Sequence, residues 1–175
     1  YDSSNGGFDS DIWKNSSSED IDYLLNKTPY KTSSSVLKDL MIRSILTTSN
    51  PPTKQNSEII TFLDMRINFL VKNGLFNEFY KLAILIEEKE WNDNIKLNLK
   101  NYYLLYNYKF LCKKDSLLFP INDSYLNLYY DSFCNAMSSN KLALDLNIEL
   151  MNDAGTYDRN YITILESILN NTQLD

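Results

Sequence analysis

The reactive side chains available to this chain are carboxylates, thiols, amines and phenols, because it contains no histidine. That removes the commonest general base and the commonest metal ligand. Glu87, Glu88 and Glu90 set carboxylates side by side. Glycosidic chemistry needs two carboxyls across a cleft, one of them in an apolar setting. These three instead end a helical pattern beside Lys89 and read as a solvated surface. Asp9, Asp11, Asn15 and Asp20 echo a calcium loop. Such a loop turns on glycine at its sixth position and closes on a bidentate Glu. Here Lys14 and Asp20 occupy those places. Two thiols without imidazole do not make a zinc site. No glycine-rich phosphate loop is present, so the expectation is a non-enzyme that takes no cofactor and no metal.

Cys112 and Cys134 allow two readings. On neighbouring helices of a stack they could bridge, if their Cα atoms approach within about 7 Å. As free thiols they would be small buried hydrophobes. Spacing leaves both open. Tyr102, Tyr103, Tyr106, Tyr108, Tyr125, Tyr129 and Tyr130 form the densest aromatic cluster. Tyrosine pairs a large contact area with a hydrogen-bonding tip, which suits interfaces and cores alike. As an interface, the cluster makes Tyr102, Tyr103, Tyr106, Tyr125, Tyr129 and Tyr130 the candidate protein-binding residues. Four Asn-x-Ser/Thr triplets, at Asn15, Asn26, Asn122 and Asn170, are expected by chance in a chain this rich in Asn and Ser.

These residues need a frame. The chain has 175 residues, 43% hydrophobic and 23% charged, as ordinary globular domains do. Its net charge of −6 argues against a nucleic-acid partner, whose phosphates attract Lys and Arg. No apolar run approaches the roughly 20 residues of a membrane span. Four glycines and four prolines are too few for a turn-dense β-sandwich. The surplus of Lys, Asn, Ile and Tyr is the signature of AT-rich codons.

Periodicity predicts an all-α fold of about nine helices. Residues 1–15 lack a sustained period and read as an extended arm, pinned by Phe8 and Trp13. Residues 16–52 read as a capping helix pair. Ser16 to Glu19 forms a capping box before Ile21, Leu24 and Leu25, and Ser33 to Ser35 caps a helix over about 34–48. Val36, Leu37, Leu40, Met41 and Leu46 give that second helix its apolar face, and Pro51-Pro52 breaks the chain. Residues 56–172 read as three degenerate αα repeats plus a C-terminal helix. Helices are expected from Asn56 to before Gly74 and over about 75–88, 93–105, 109–118, 124–138, 141–153 and 158–170.

Gly74, Asn107 and Asn140 recur every 33 residues, each where one helix gives way to its partner. Gly and Asn tolerate the left-handed conformation of a tight helix turn. Val71, Leu104 and Met137 stand three residues before them, Leu70, Tyr103 and Ala136 four before, and Phe62, Ile95 and Leu128 twelve before. Tetratricopeptide-like repeats have a period of about 34. The expected architecture is therefore a right-handed superhelix of αα-hairpins.

Across nearly its whole length the chain resembles a family of alphaproteobacterial exported envelope proteins built from helical repeats. The segments NGGFDSDIWKNSS, EDIDYLLNKTP, SSSVLKDLMIRSILTTSNPP and YLNLYYDSFCNAMSSNKLALDLNIELM carry the likeness. Shared features are a Gly-Gly/Trp entry segment, a capped helix closing near Pro29, a helix ending in Pro-Pro and two cysteines within the repeats. The resemblance implies export with the signal removed, consistent with a first residue Tyr1, and a periplasmic Cys112–Cys134 disulfide. Ala and Arg of those proteins are replaced here by Ile, Asn, Lys and Tyr. The resemblance implies no catalytic activity. The functional expectation is a scaffold or adaptor binding another protein or peptide in the periplasm. The alternatives are a structural subunit of a larger envelope assembly, or a cytoplasmic adaptor with free thiols.

Overall fold

The computed structural model describes residues 1–28, 30–52, 61–118 and 121–171, with the backbone alone for 114–118. Among the described residues there are nine α-helices and no strand. The all-α reading is borne out. The chain forms two compact units, Tyr1–Trp91 and Asn92–Asp175.

In the first unit, α1 (Ser18–Lys27) packs on α3 (Phe62–Lys72), α3 on α4 (Phe76–Ala83), and α4 on α2 (Ser35–Leu46). The α1 cap sits one residue later than the serine run suggested. Ser17 accepts from the Asp20 amide, while its hydroxyl donates to the Asp20 carboxylate. The Asp20 carboxylate thus closes on the Ser17 hydroxyl, where the glutamate of a capping box would reach the backbone amide of the cap. Ser34 caps α2 and Thr61 caps α3. The earlier part of the expected third helix, including Ile59 and Ile60, lies outside the described residues. Helix α4 stops at Ala83 rather than near Glu88. The amides of Leu85 and Ile86 fold back onto the carbonyls of Leu82 and Ala83, and the Trp91 indole donates to the Ile86 carbonyl. Glu88–Glu90 then forms a single exposed 3-10 turn.

The N-terminal arm is folded rather than extended. Successive turns bring Trp13 into a buried cluster with Ile21, Phe62 and Met65, its ring edge-on to Phe62. The Tyr1 carbonyl accepts from the Thr48 amide, the Ser10 carbonyl from the Asn50 amide, and Thr47 Oγ1 from the Phe8 amide. These bonds tie the arm to the end of α2. The acidic residues of the supposed calcium loop serve the same turns: Asp9 accepts from the Asp11 amide, and Asp11 accepts from Lys14 and the Asn50 side chain.

Lys14 and Asn50 hold the Asp11 carboxyl below its ordinary value of 3.8, and bonds from Ser4 do the same for Asp2. A carboxylate with a depressed folded pKa stabilises the fold above its unfolded pKa and loses that contribution as pH falls. The arm is therefore expected to loosen from α2 as pH drops below about 4. Amide protection factors of Thr48 and Asn50 should fall in that window. Constant protection through it would contradict the linkage.

The second unit contains α5 (Asp93–Tyr106), α6 (Tyr108–Leu118), α7 (Ser124–Met137), α8 (Lys141–Asp153) and α9 (Arg159–Asn170). Asn92, Asp123, Asn140 and Asp158 accept the first free amides of α5, α7, α8 and α9. Helix α5 contacts α6, and α7 contacts α6, α8 and α9. Ala136, Leu144, Met151, Ile162 and Leu165 make a buried cluster where α7, α8 and α9 meet.

The 33-residue spacing locates the helix connections but does not set one backbone conformation. Gly74 has φ +72° and closes α3 with the Leu75 amide on the Leu70 carbonyl. The corresponding closure after α7 uses Ser139, φ +57°, and the Asn140 amide on the Asn135 carbonyl. Asn107 is extended at φ −157°. One residue separates α5 from α6, so no left-handed turn is formed there. The Asn107 side chain instead accepts from the Phe110 amide.

Candidate interaction surface

The tyrosine cluster divides into an exposed group and an interior group. On α5, Tyr102 stacks against Tyr106 at 4.8 Å and meets Tyr103 edge-on at 5.6 Å, while Tyr103 lies 4.5 Å from Phe110 of α6. Tyr102 and Tyr103 are half-buried. Tyr106 is 56% exposed and its neighbour Leu105 is 63% exposed. Residues 102, 105 and 106 share one helical face because positions three and four apart are neighbours on a helix. The last turn of α5 thus carries an aromatic and aliphatic patch open to solvent.

Tyr129 and Tyr130 have interior roles. Tyr130 is buried, its hydroxyl donating to Asn101 and its ring lying beneath the Lys100 amine at 4.9 Å. Lys100 is itself buried and donates to Asn127 at 2.8 Å. These contacts join α5 to α7. Tyr129 donates to the Thr156 carbonyl and stacks on Tyr161 at 4.7 Å, while Tyr161 donates back to the Tyr129 carbonyl. Burial, with the neighbouring Tyr129 and Tyr130, raises the Tyr161 pKa. Tyr125 is exposed in the first turn of α7. Tyr108 packs edge-on to Phe133. The rings of the cluster have one chemistry in sequence, whereas in the structure only Tyr106 and Tyr125 of them are exposed. Leu105 was missed, although a leucine three residues after Tyr102 is legible on the same face.

Cys112 of α6 and Cys134 of α7 lie at disulfide distance, with Cα atoms 5.1 Å apart. Both side chains are half-buried. The pair fixes the α6–α7 side of the unit that bears the tyrosines.

Among its described residues the first unit has hollows in two places. One, of about 320 Å³, is lined by Tyr1, Leu46, Leu82 and Leu85, with Asn5 and Lys81 among its walls. The other runs between α1 and α3, where Asp22, Asn26 and Met65 line adjoining spaces of about 310 and 260 Å³. There Lys72 donates to Asn26, and Asn26 donates to Asp22, so the polar side chains largely satisfy one another. Glu87, Glu88 and Glu90 line neither hollow, and Lys89 pairs with Glu87.

Among the described residues, no cluster of Cys, Asp or Glu is arranged to hold a metal ion, and no helix is long and apolar enough to cross a membrane. No protein-family model, curated protein or solved structure matches this chain.

Proposed function

We propose that this chain is a non-catalytic helical scaffold that binds another protein or peptide in the cell envelope, using the exposed end of α5. The carrying observation is the patch of Tyr102, Leu105 and Tyr106, in which a stacked tyrosine pair sits beside a leucine more than half exposed. Rings already held by a neighbour lose little rotamer freedom on docking, and tyrosine is a frequent anchor at interfaces. The α7 contacts with both α6 and α9 support a stack of αα-hairpins, in which each hairpin leans on the next. The cysteine pair supports an oxidising compartment such as the periplasm.

The test is cross-linking in the native host followed by recovery of the chain under denaturing conditions. The double substitution Leu105→Ser with Tyr106→Ala should weaken capture of a specific partner at least about tenfold. Tyr130→Phe should leave capture unchanged, because that ring faces inward. Equal capture by the double variant and the parent would exclude the α5 patch as the contact.

A further inference from the structure

Helix α8 is apolar on two opposite faces, and among the described residues only one of them packs against a partner. Leu144, Ile148 and Met151 point into the cluster shared with α7 and α9. Leu142, Leu146 and Leu150, spaced by four, form a row on the far side and are 85%, 56% and 46% exposed. An exposed row of this kind costs solvation without stabilising the unit that carries it. Lys141 opens one edge of the row and Asp145, Glu149 and Asp153 continue it at four-residue spacing, all exposed and, among the described residues, none in an ion pair. Ala143 and Asn147, small enough to allow close approach, line the other edge.

From this arrangement we infer that α8 docks a basic amphipathic helix of another protein, with leucine-like side chains on the row and Lys or Arg against the acidic edge. This rests on the scaffold reading and gives it a second contact surface with a defined chemistry. The charge pattern selects the occupant. In an antiparallel pairing of two copies about Leu146, each edge, net acidic despite Lys141 at its start, would face the same edge of the other copy, with Asp145 against Asp145 at the centre, which is repulsive. Three leucines also offer far less than the roughly 800 Å² per partner of a stable interface. A short basic helix needs less area and gains from the carboxylates, and it meets a chain that is acidic overall at −6.

The probe is a fluorescent synthetic helix of about 18 residues, five turns, with a leucine row flanked by lysines. A twin carries glutamate for every lysine. Against the full chain, the basic peptide should bind at least about tenfold more tightly than the twin, and raising salt from about 0.05 to about 0.5 M should weaken it. Substituting Leu142, Leu146 and Leu150 together by alanine should cost about tenfold or more, with the thermal transition unchanged because none of the three is in the core. Asp145→Lys with Glu149→Lys, which leaves the leucines intact, should weaken the basic peptide and strengthen the acidic twin. Equal affinity for both peptides, or full affinity in both variants, overturns the assignment. A dimer of the parent chain that Leu146→Lys disperses overturns it in favour of self-association. If binding survives the α8 variants but fails with Leu105→Ser/Tyr106→Ala, this inference falls and the scaffold reading stands.

Discussion

Arg66→Met is expected to destabilise the first unit by about 2–4 kcal/mol, read as a shift in the urea midpoint at constant slope. Arg66 is buried within α3, between Met65 and Ile67 in sequence. Its Nε donates to the Ile45 carbonyl and its Nη2 to the Thr47 carbonyl, while the guanidinium sits 5.5 Å above the Phe62 ring. Those carbonyls belong to the end of α2, where helical acceptors have no partner of their own. A cation there also opposes the negative end of the helix dipole. Burial lowers the Arg66 pKa to about 10, so the group stays charged at neutral pH. Methionine fills a similar volume but leaves two buried carbonyls without donors. The same corner receives the N-terminal arm, through Phe8 on Thr47 and Thr48 on Tyr1. Arm amides should therefore lose protection together with the end of α2. Arg66→Lys should recover only part of the loss, because one ammonium cannot reproduce a planar fork. A midpoint within error of the parent would show that water replaces the guanidinium at no cost.

Opening the Cys112–Cys134 pair is expected to cost about 3 kcal/mol, the chain-entropy value for the 22-residue separation. Ser substitution at both positions, or reductant, should therefore lower the thermal midpoint of the second unit by more than about 10 °C. Exchange should rise first in α6, which contacts α5 on one side and the cysteine-bearing α7 on the other. The same pair reports on location. Chain isolated natively and alkylated without reduction should carry no alkyl group if it resides in an oxidising compartment. Two alkylated thiols would remove the support for an envelope location and direct the partner search to the cytoplasm. A double-Ser variant with the parent's midpoint would show that helix packing alone holds α6 against α7.

The helices were legible in sequence because their signals are local. A cap such as Thr61, Asn92, Asp123 or Asp158 bonds to an amide two or three residues away, so the terminus is encoded where it occurs. Gly155, φ +68°, ends α8 for the same kind of reason. The 33-residue spacing likewise marked the connections from α3 to α4, α5 to α6 and α7 to α8, but not α1 and α2, which pack on α3 and α4 rather than as a pair. It could not find the conformation at Asn107, which follows from a one-residue connection rather than from residue type.

Burial was decided elsewhere. Amphipathic spacing defines a face of a helix, but the neighbours that cover it come from distant sequence. Val36, Leu37 and Leu40 keep helical spacing and read as core, yet they are exposed, because α2 is buried at its other end around Ile45 and Leu46. Leu142, Leu146 and Leu150 are outward while Leu144 and Met151 are inward on the same helix. Tyr106 and Tyr130 have one chemistry and opposite surroundings. Arg66 finds its carbonyls 19 and 21 residues back along the chain. Sequence by itself determined an all-α chain and most of its helix ends, since hydrogen bonds within a few residues set them; the early stop of α4 at Ala83 escaped it. Tertiary structure alone decided which apolar faces meet a partner, which cations are enclosed, and which tyrosines remain exposed, since each depends on desolvation by residues far away in the chain.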